Sequence, residues 1–189
     1  MSGNDDDIDP QGFRANVGII LMRDDGRLFL GGRAGARGWQ FPQGGIRRGE
    51  VDEAALYREL EEEVGLGADD VEELGRTRGW LRYRLPPQFR RRNAQPPCIG
   101  QKQRWFLLRL KGPESLLRFN ATDQPAEFDR WRWAEWWDPV REVIYFKRRV
   151  YARALEELGP YAFPDGPPPY PEWWEQRLGR RAAAPRQDG

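Results

Sequence analysis

Gly44 to Leu66 reads GGIRRGEVDEAALYRELEEEVGL, and the second half of this stretch decides the fold. From Asp52 to Val64 the apolar residues Leu56, Leu60 and Val64 recur at fourfold spacing, which predicts a helix with one side turned to a core. Gly65 follows at the position where a left-handed residue ends a helix. Beside the apolar stripe, Glu59, Glu62 and Glu63 stand at i, i+3 and i+4 and share one narrow arc, while Glu61 points elsewhere. Each like-charged pair at such spacing destabilises a helix by about 0.2–0.5 kcal/mol, so a compensating partner is expected. Convergent carboxylates suit a hard, oxygen-seeking cation, Mg²⁺ or Mn²⁺; a solvated acidic face is the plain alternative.

On either side of this helix, strand-length apolar runs alternate with turn signals. Val17–Met22 (VGIILM) runs into the turn Arg23-Asp24-Asp25-Gly26, and Leu28-Phe29-Leu30 follows as its hairpin partner. Trp80–Leu85, Arg104–Leu110 and Arg130–Ala134 read as further strands, the last with Trp131 and Trp133 on one face. Asp138 before Pro139 forms an N-cap and N1 pair for a closing helix that stops at Gly159-Pro160. Strands around a central helix, with a closing helix, predict an α/β sandwich on a mixed sheet.

Composition narrows the chemistry. The chain has 189 residues, 39% of them hydrophobic and 13% aromatic, enough for one packed domain. Lys plus Arg total 31 against 30 Asp plus Glu, which argues against a binder that holds nucleic acid by bulk charge. The single cysteine, Cys98, excludes an intrachain disulfide framework. The absence of histidine removes Ser-His and Cys-His catalysis and the usual zinc ligand. Carboxylates, Lys, Tyr or a hard metal ion must carry any catalysis. Residues 1–11 are acidic and polar and read as a flexible arm. Seven prolines from Pro160 onward make 159–189 a tail expected to be disordered. The folded unit is expected at 12–158. No run approaches the ~18 apolar residues of a membrane span, and a cytoplasmic protein is expected.

The opening stretch fits G-x5-E-x7-R-E-U-x-E-E-x-G-U, with U aliphatic, at Gly44, Glu50, Arg58, Glu59, Leu60, Glu62, Glu63, Gly65 and Leu66. Seven fixed identities at ~6% each, with two aliphatic sites, make a chance match rarer than about one in a billion. This is the signature of the Nudix hydrolase family, which the chain resembles. The resemblance implies an α/β/α sandwich that hydrolyses nucleoside diphosphates linked to another group, with a divalent cation, Mg²⁺ or Mn²⁺. It implies that Glu59, Glu62 and Glu63 hold the metal and that Arg58 holds these carboxylates in place. Gly44 would let the backbone come close to the metal, and Glu50 would act as a cap or as support behind the ligands.

The flanks resemble the bacterial RNA pyrophosphohydrolases: Arg14-Ala15-Asn16-Val17-Gly18, Trp39 to Gly45, Trp80 to Tyr83, Ile99 to Phe106, Glu127-Phe128-Asp129 and Val143 to Arg148. These segments are also shared with dinucleoside polyphosphate hydrolases. The resemblance implies removal of pyrophosphate from 5′-triphosphorylated RNA, with neither DNA nor a membrane as partner, and it names no protein partner. Asymmetric hydrolysis of diadenosine tetraphosphate is the rival activity, and a non-catalytic nucleotide-binding module the third reading. Carried over by residue, Glu127 adds a carboxylate to the metal set, and Arg14 and Lys147 contact the 5′ phosphates. Arg33 with Ile144 or Phe146 flanks a base, although Phe146 is equally suited to the core. Lys102 and Gln103 would reach phosphate or metal-bound water. Arg90-Arg91-Arg92 and the proline-rich tail depart from the family pattern.

Overall fold

The computed structural model describes residues 6–35, 37–90, 96–119 and 126–178. Arg91 and Arg92 lie outside the described residues. The strands are β1 (Phe13–Met22), β2 (Leu28–Arg33), β3 (Trp39–Gln40), β4 (Gln43–Gly45), β5 (Val71–Arg76), β6 (Leu81–Arg84), β7 (Gly100–Leu110) and β8 (Phe128–Ala134). The helices are α1 (Asp52–Val64), α2 (Asp138–Glu142), α3 (Arg148–Ala162) and α4 (Trp174–Leu178). All eight strands join one mixed sheet along β3-β2-β1-β7-β5, with β8 on β2, β4 on β1 and β6 on β7. Among the described residues only the β1–β7 pair is parallel, running in register from Phe13↔Gly100 to Met22↔Arg109.

β1 is central and buried on both faces, which is why VGIILM is apolar without alternation. Its side chains divide between two cores. Val17, Ile19 and Leu21 pack with Leu56, Leu60 and Val64 of α1, whereas Ile20 and Met22 pack with Tyr151, Leu155 and Leu158 of α3. The result is the expected α/β/α sandwich. α1 has the expected bounds and ends at Gly65, whose φ of 71° is left-handed.

Three expectations need correction. The closing helix is not continuous: Val143 and Ile144 are extended, and a 3₁₀ turn at Tyr145–Lys147 intervenes before α3. Asp138 does not cap α2 with its side chain; Trp137 precedes the helix, and Asp138 pairs with Arg141 at 3.1 Å. α3 passes through Pro160 to Ala162, because the exposed Pro160 meets solvent while Phe163 N–H closes the last turn on the Gly159 carbonyl.

The tail expected to be disordered packs on the domain through Leu178. Trp174 is only 5% exposed, and Trp137 Nε1–H donates to the Pro168 carbonyl at 2.8 Å. Tyr170 stacks on Trp137 with ring centroids 4.8 Å apart. The described part of the acidic arm is also held. The Asp9 carboxylate accepts the Phe13 N–H at 3.0 Å and pairs with Lys102 at 3.1 Å, and Asp6 meets Arg14 at 2.7 Å.

Candidate active site

The site forms where the segment from Phe41 to Gly45 crosses β1. Phe41 is buried, stacks on Tyr151 of α3 at 4.9 Å and donates its N–H to Tyr151 Oη at 3.0 Å. Gln43, Gly44 and Gly45 then pair with Gly18, Val17 and Asn16. Gly44 faces α1 so closely that a Cβ there would lie 1.7 Å from the Glu59 carboxyl carbon. Gly45 faces the other way, against the Arg14 guanidinium. Gly44 is thus favoured by the close approach of buried Glu59, not by a turn, whereas at Gly45 only the mobile tip of Arg14 would have to move.

Arg58 organises the acidic arc. Its Nε and Nη2 donate to the two Glu50 oxygens, its Nη2 also to the Gly45 carbonyl at 2.8 Å, and its Nη1 to Glu59. Glu62 lies 3.5 Å from the same Nη1 and 3.6 Å from Arg47. Hydrogen bonds from Arg58 hold the Glu50 carboxyl below its ordinary range. Burial nevertheless pushes Glu59 up, outweighing Arg58 beside it. Glu63 is pushed well up by burial and by the Glu59 charge, while the Gln43 N–H donates to its Oε2 at 3.0 Å.

A cationic side faces these acids. Lys147, 8% exposed, donates to Gln43 Oε1 at 3.1 Å. Burial and the Arg33 charge lower its ammonium to about 8, against the pull of Glu127 and Glu63. Arg33 pairs with Glu127 at 3.5 Å, and Gln40 Nε2–H donates to the same Glu127 oxygen at 3.2 Å. Phe146 is half-buried between Tyr83 and Phe89, with centroids 5.8 and 5.1 Å away, so it belongs partly to the core. Ile144 is exposed at the rim.

The structure thus gathers Arg58, Glu59, Glu62 and Glu63 around Gly44, and sets Lys147 with Glu127 and Arg33 nearby. It separates Lys102 from Gln103. The alternation of β7 turns them to opposite faces, and Lys102 is taken up by Asp9 and the Trp80 ring. Gln103 is fully buried and bonds Asn16 and Gln43, so its expected contact with phosphate or metal-bound water is corrected to a supporting position. Sequence reasoning assigned no role to Gln43 or Asn16; the one signal was a polar Asn directly before the apolar run of β1.

Among the described residues no three acidic side chains converge tightly enough to cage an ion in this arrangement; Glu59 and Glu62 are bridged by Arg58, and Glu63 is held by the Gln43 N–H. The donor set nonetheless fits a hard cation. The charges of Glu59 and Glu63 repel each other, no Cβ stands between Gly44 and Glu59, and the acidic arc offers oxygen ligands.

The chain belongs to the Nudix hydrolase family, since residues 12–158 match the family profile described as NUDIX domain. It is 56% identical to the RNA pyrophosphohydrolase of Alkalilimnicola ehrlichii over 95% of this chain and 97% of that protein. It is 58% identical to the RNA pyrophosphohydrolase of Thioalkalivibrio sulfidiphilus over 85% of this chain and 92% of that one. Among solved structures, the dihydroneopterin triphosphate pyrophosphohydrolase of E. coli superposes with a TM-score of 0.56 at 18% identity, covering 74% of this chain and 92% of that one. The C. elegans Ap4A hydrolase does so at 0.53 and 17%, covering 73% and 93%. These two share the fold.

Proposed function

We propose that the protein is a cytoplasmic RNA 5′-pyrophosphohydrolase that converts a 5′-triphosphate RNA end to a monophosphate and so opens transcripts to ribonucleases. The observation that carries this reading is the pairing of an acidic arc, with Glu59 buried and Glu63 half-buried beside it, with a buried lysine, Lys147, in a chain 56% identical to a relative of that name. No helix of the described residues is long and apolar enough to cross a membrane.

Glu59, Glu62 and Glu63, with Glu127 and the Gly44 backbone, would hold divalent cations, Mg²⁺ or Mn²⁺. Such ions neutralise polyphosphate charge and lower the pKa of a bound water. Arg58 fixes the carboxylates and makes no contact with substrate. Water attacks phosphorus, a P–O–P bond breaks, and pyrophosphate leaves with the bridging oxygen. One of these carboxylates, or a nearby one, takes the water proton. Lys147 and Arg14 bind the 5′ phosphates, while Arg33, Ile144 and Phe146 flank a base. Residues 12–158 supply all of these groups.

The test compares kcat/KM for 5′-triphosphate oligoribonucleotides, diadenosine tetraphosphate and free nucleoside triphosphates, in wild type and in Arg33→Ala. The RNA is expected to be preferred, and Arg33→Ala to weaken action on RNA more than on the dinucleotide. A hundredfold preference for the dinucleotide would replace the RNA reading with the polyphosphate hydrolase.

A further inference from the structure

Three amides and one ammonium form a connected line beneath the acidic arc. Asn16 and Gln103 are paired residues of β1 and β7, 2% and 0% exposed, among the mostly apolar residues of the two central strands. Gln103 Nε2–H donates to Asn16 Oδ1 at 3.0 Å and to Gln43 Oε1 at 3.2 Å. Lys147 donates to the same Gln43 oxygen at 3.1 Å. Lysine has only donors, so the Gln43 atom facing it must be oxygen. The Gln103 atom facing that oxygen must then be nitrogen, and the Asn16 atom facing the nitrogen must be oxygen. One cation therefore sets the sense of the whole line.

The arrangement is costly. It leaves Gln103 Oε1 buried without a partner. What it secures is the orientation of Gln43. With two donors on its oxygen, the Gln43 side chain turns its NH₂ group the other way. That group bonds to no atom of the described chain and is not sealed from solvent. It stands one residue from Gly44, on the residue whose backbone N–H already holds Glu63. An aimed donor with an empty valence, beside a lysine, suits an anionic oxygen.

We propose that the Gln43 side-chain NH₂ group binds the polyphosphate chain directly, and that Lys147 and the buried Asn16–Gln103 pair position it. The inference takes only its ligand class, a polyphosphate, from the function proposed above. Sequence reasoning could not reach it, because the orientation of Gln43 depends on partners from two other strands and a turn.

The experiment separates donation from mere support of Lys147. Gln43→Glu keeps an oxygen toward Lys147 but replaces the outward donor with an acceptor. Affinity for a methylene-bridged nucleoside triphosphate, read by calorimetry at saturating Mg²⁺, is expected to fall at least tenfold, with Tm unchanged. KM for the hydrolysed substrate should rise in parallel while kcat changes less. Gln103→Met should weaken the same binding about threefold in wild type and not at all in a Gln43→Met background. Binding by Gln43→Glu within twofold of wild type would overturn direct donation. An equal Gln103→Met effect in both backgrounds would overturn the positioning line. Because binding of the analogue is read without turnover, failure of the RNA reading would show separately, as a substrate preference.

Discussion

Arg58 takes both oxygens of Glu50, Nε on Oε1 and Nη2 on Oε2, each at 2.8 Å, and both side chains are largely buried. The remaining guanidinium nitrogen is thereby aimed at Glu59 and Glu62. Glu50 does not cap the helix with its side chain; it anchors the arginine that bonds Glu59.

Glu50→Gln would place an amide donor against one guanidinium nitrogen. Unfolding in urea should show a loss of about 1–3 kcal/mol, the scale for breaking one side of a buried charged pair with other partners remaining. kcat should drop about tenfold as Arg58 loosens. Unchanged values of both would mean that the pair positions nothing.

Glu62→Gln removes the least buried acid of the arc and leaves the core untouched. A neutral amide is a poor ligand for a hard cation, so kcat should fall at least a hundredfold with Tm nearly unchanged. Excess chelator should silence the wild type likewise. Full activity in either case would remove the metal assignment.

Lys147 predicts a pH dependence. Its folded-state pKa of about 8 lies below the ordinary 10.5, so the folded state prefers the neutral amine. The resulting stability penalty is absent above the unfolded value, grows as pH falls toward 8, and is complete below it. Lys147→Met should therefore stabilise the protein at pH 7, by about 1–3 kcal/mol, and much less at pH 10.5. In the proposed role Lys147 binds phosphate in its charged form, so the wild-type kcat/KM should decline above about pH 8 and the variant's should not. A wild-type profile flat to pH 10 would sink this assignment.

The docked tail predicts a stability effect without a catalytic one. Trp174 packs edge-on to Trp137 at 4.8 Å, and Pro167 covers Gly159. Ending the chain after Ala162 should lower Tm by several degrees, and Trp174→Ala should cost about 2–4 kcal/mol, near the scale for aromatic truncation in cores. kcat well below the transition should hold. An unchanged Tm for both variants would show that the aromatic stack contributes nothing.

Local signals were enough for α1, for the turn from β1 into β2 and for the acidic arc, because each is encoded within a few residues; the expected β1–β2 hairpin is reduced to the Met22–Leu28 pair, and Phe29 and Leu30 pair with β8. Helical spacing places Glu59, Glu62 and Glu63 on one side whatever surrounds them, and Gly65 ends the helix by its own backbone freedom. The signature from Gly44 to Leu66 then carried the family and the sandwich.

Partners distant in the chain decided the rest. β5 reads VEELGR, half of it charged, and becomes a strand because β7 supplies a backbone ladder. The break at Val143 and Ile144 follows no local stop signal; it turns Lys147 into the interior, toward Gln43. The tail docks because Trp137 and Glu156 await Tyr170, a pairing that proline content cannot foretell. Sequence alone determined which acids could act together and on which helix. Only the tertiary structure decided which lysine faces them and which way Gln43 points, since burial and hydrogen-bond direction are properties of the assembled sheet.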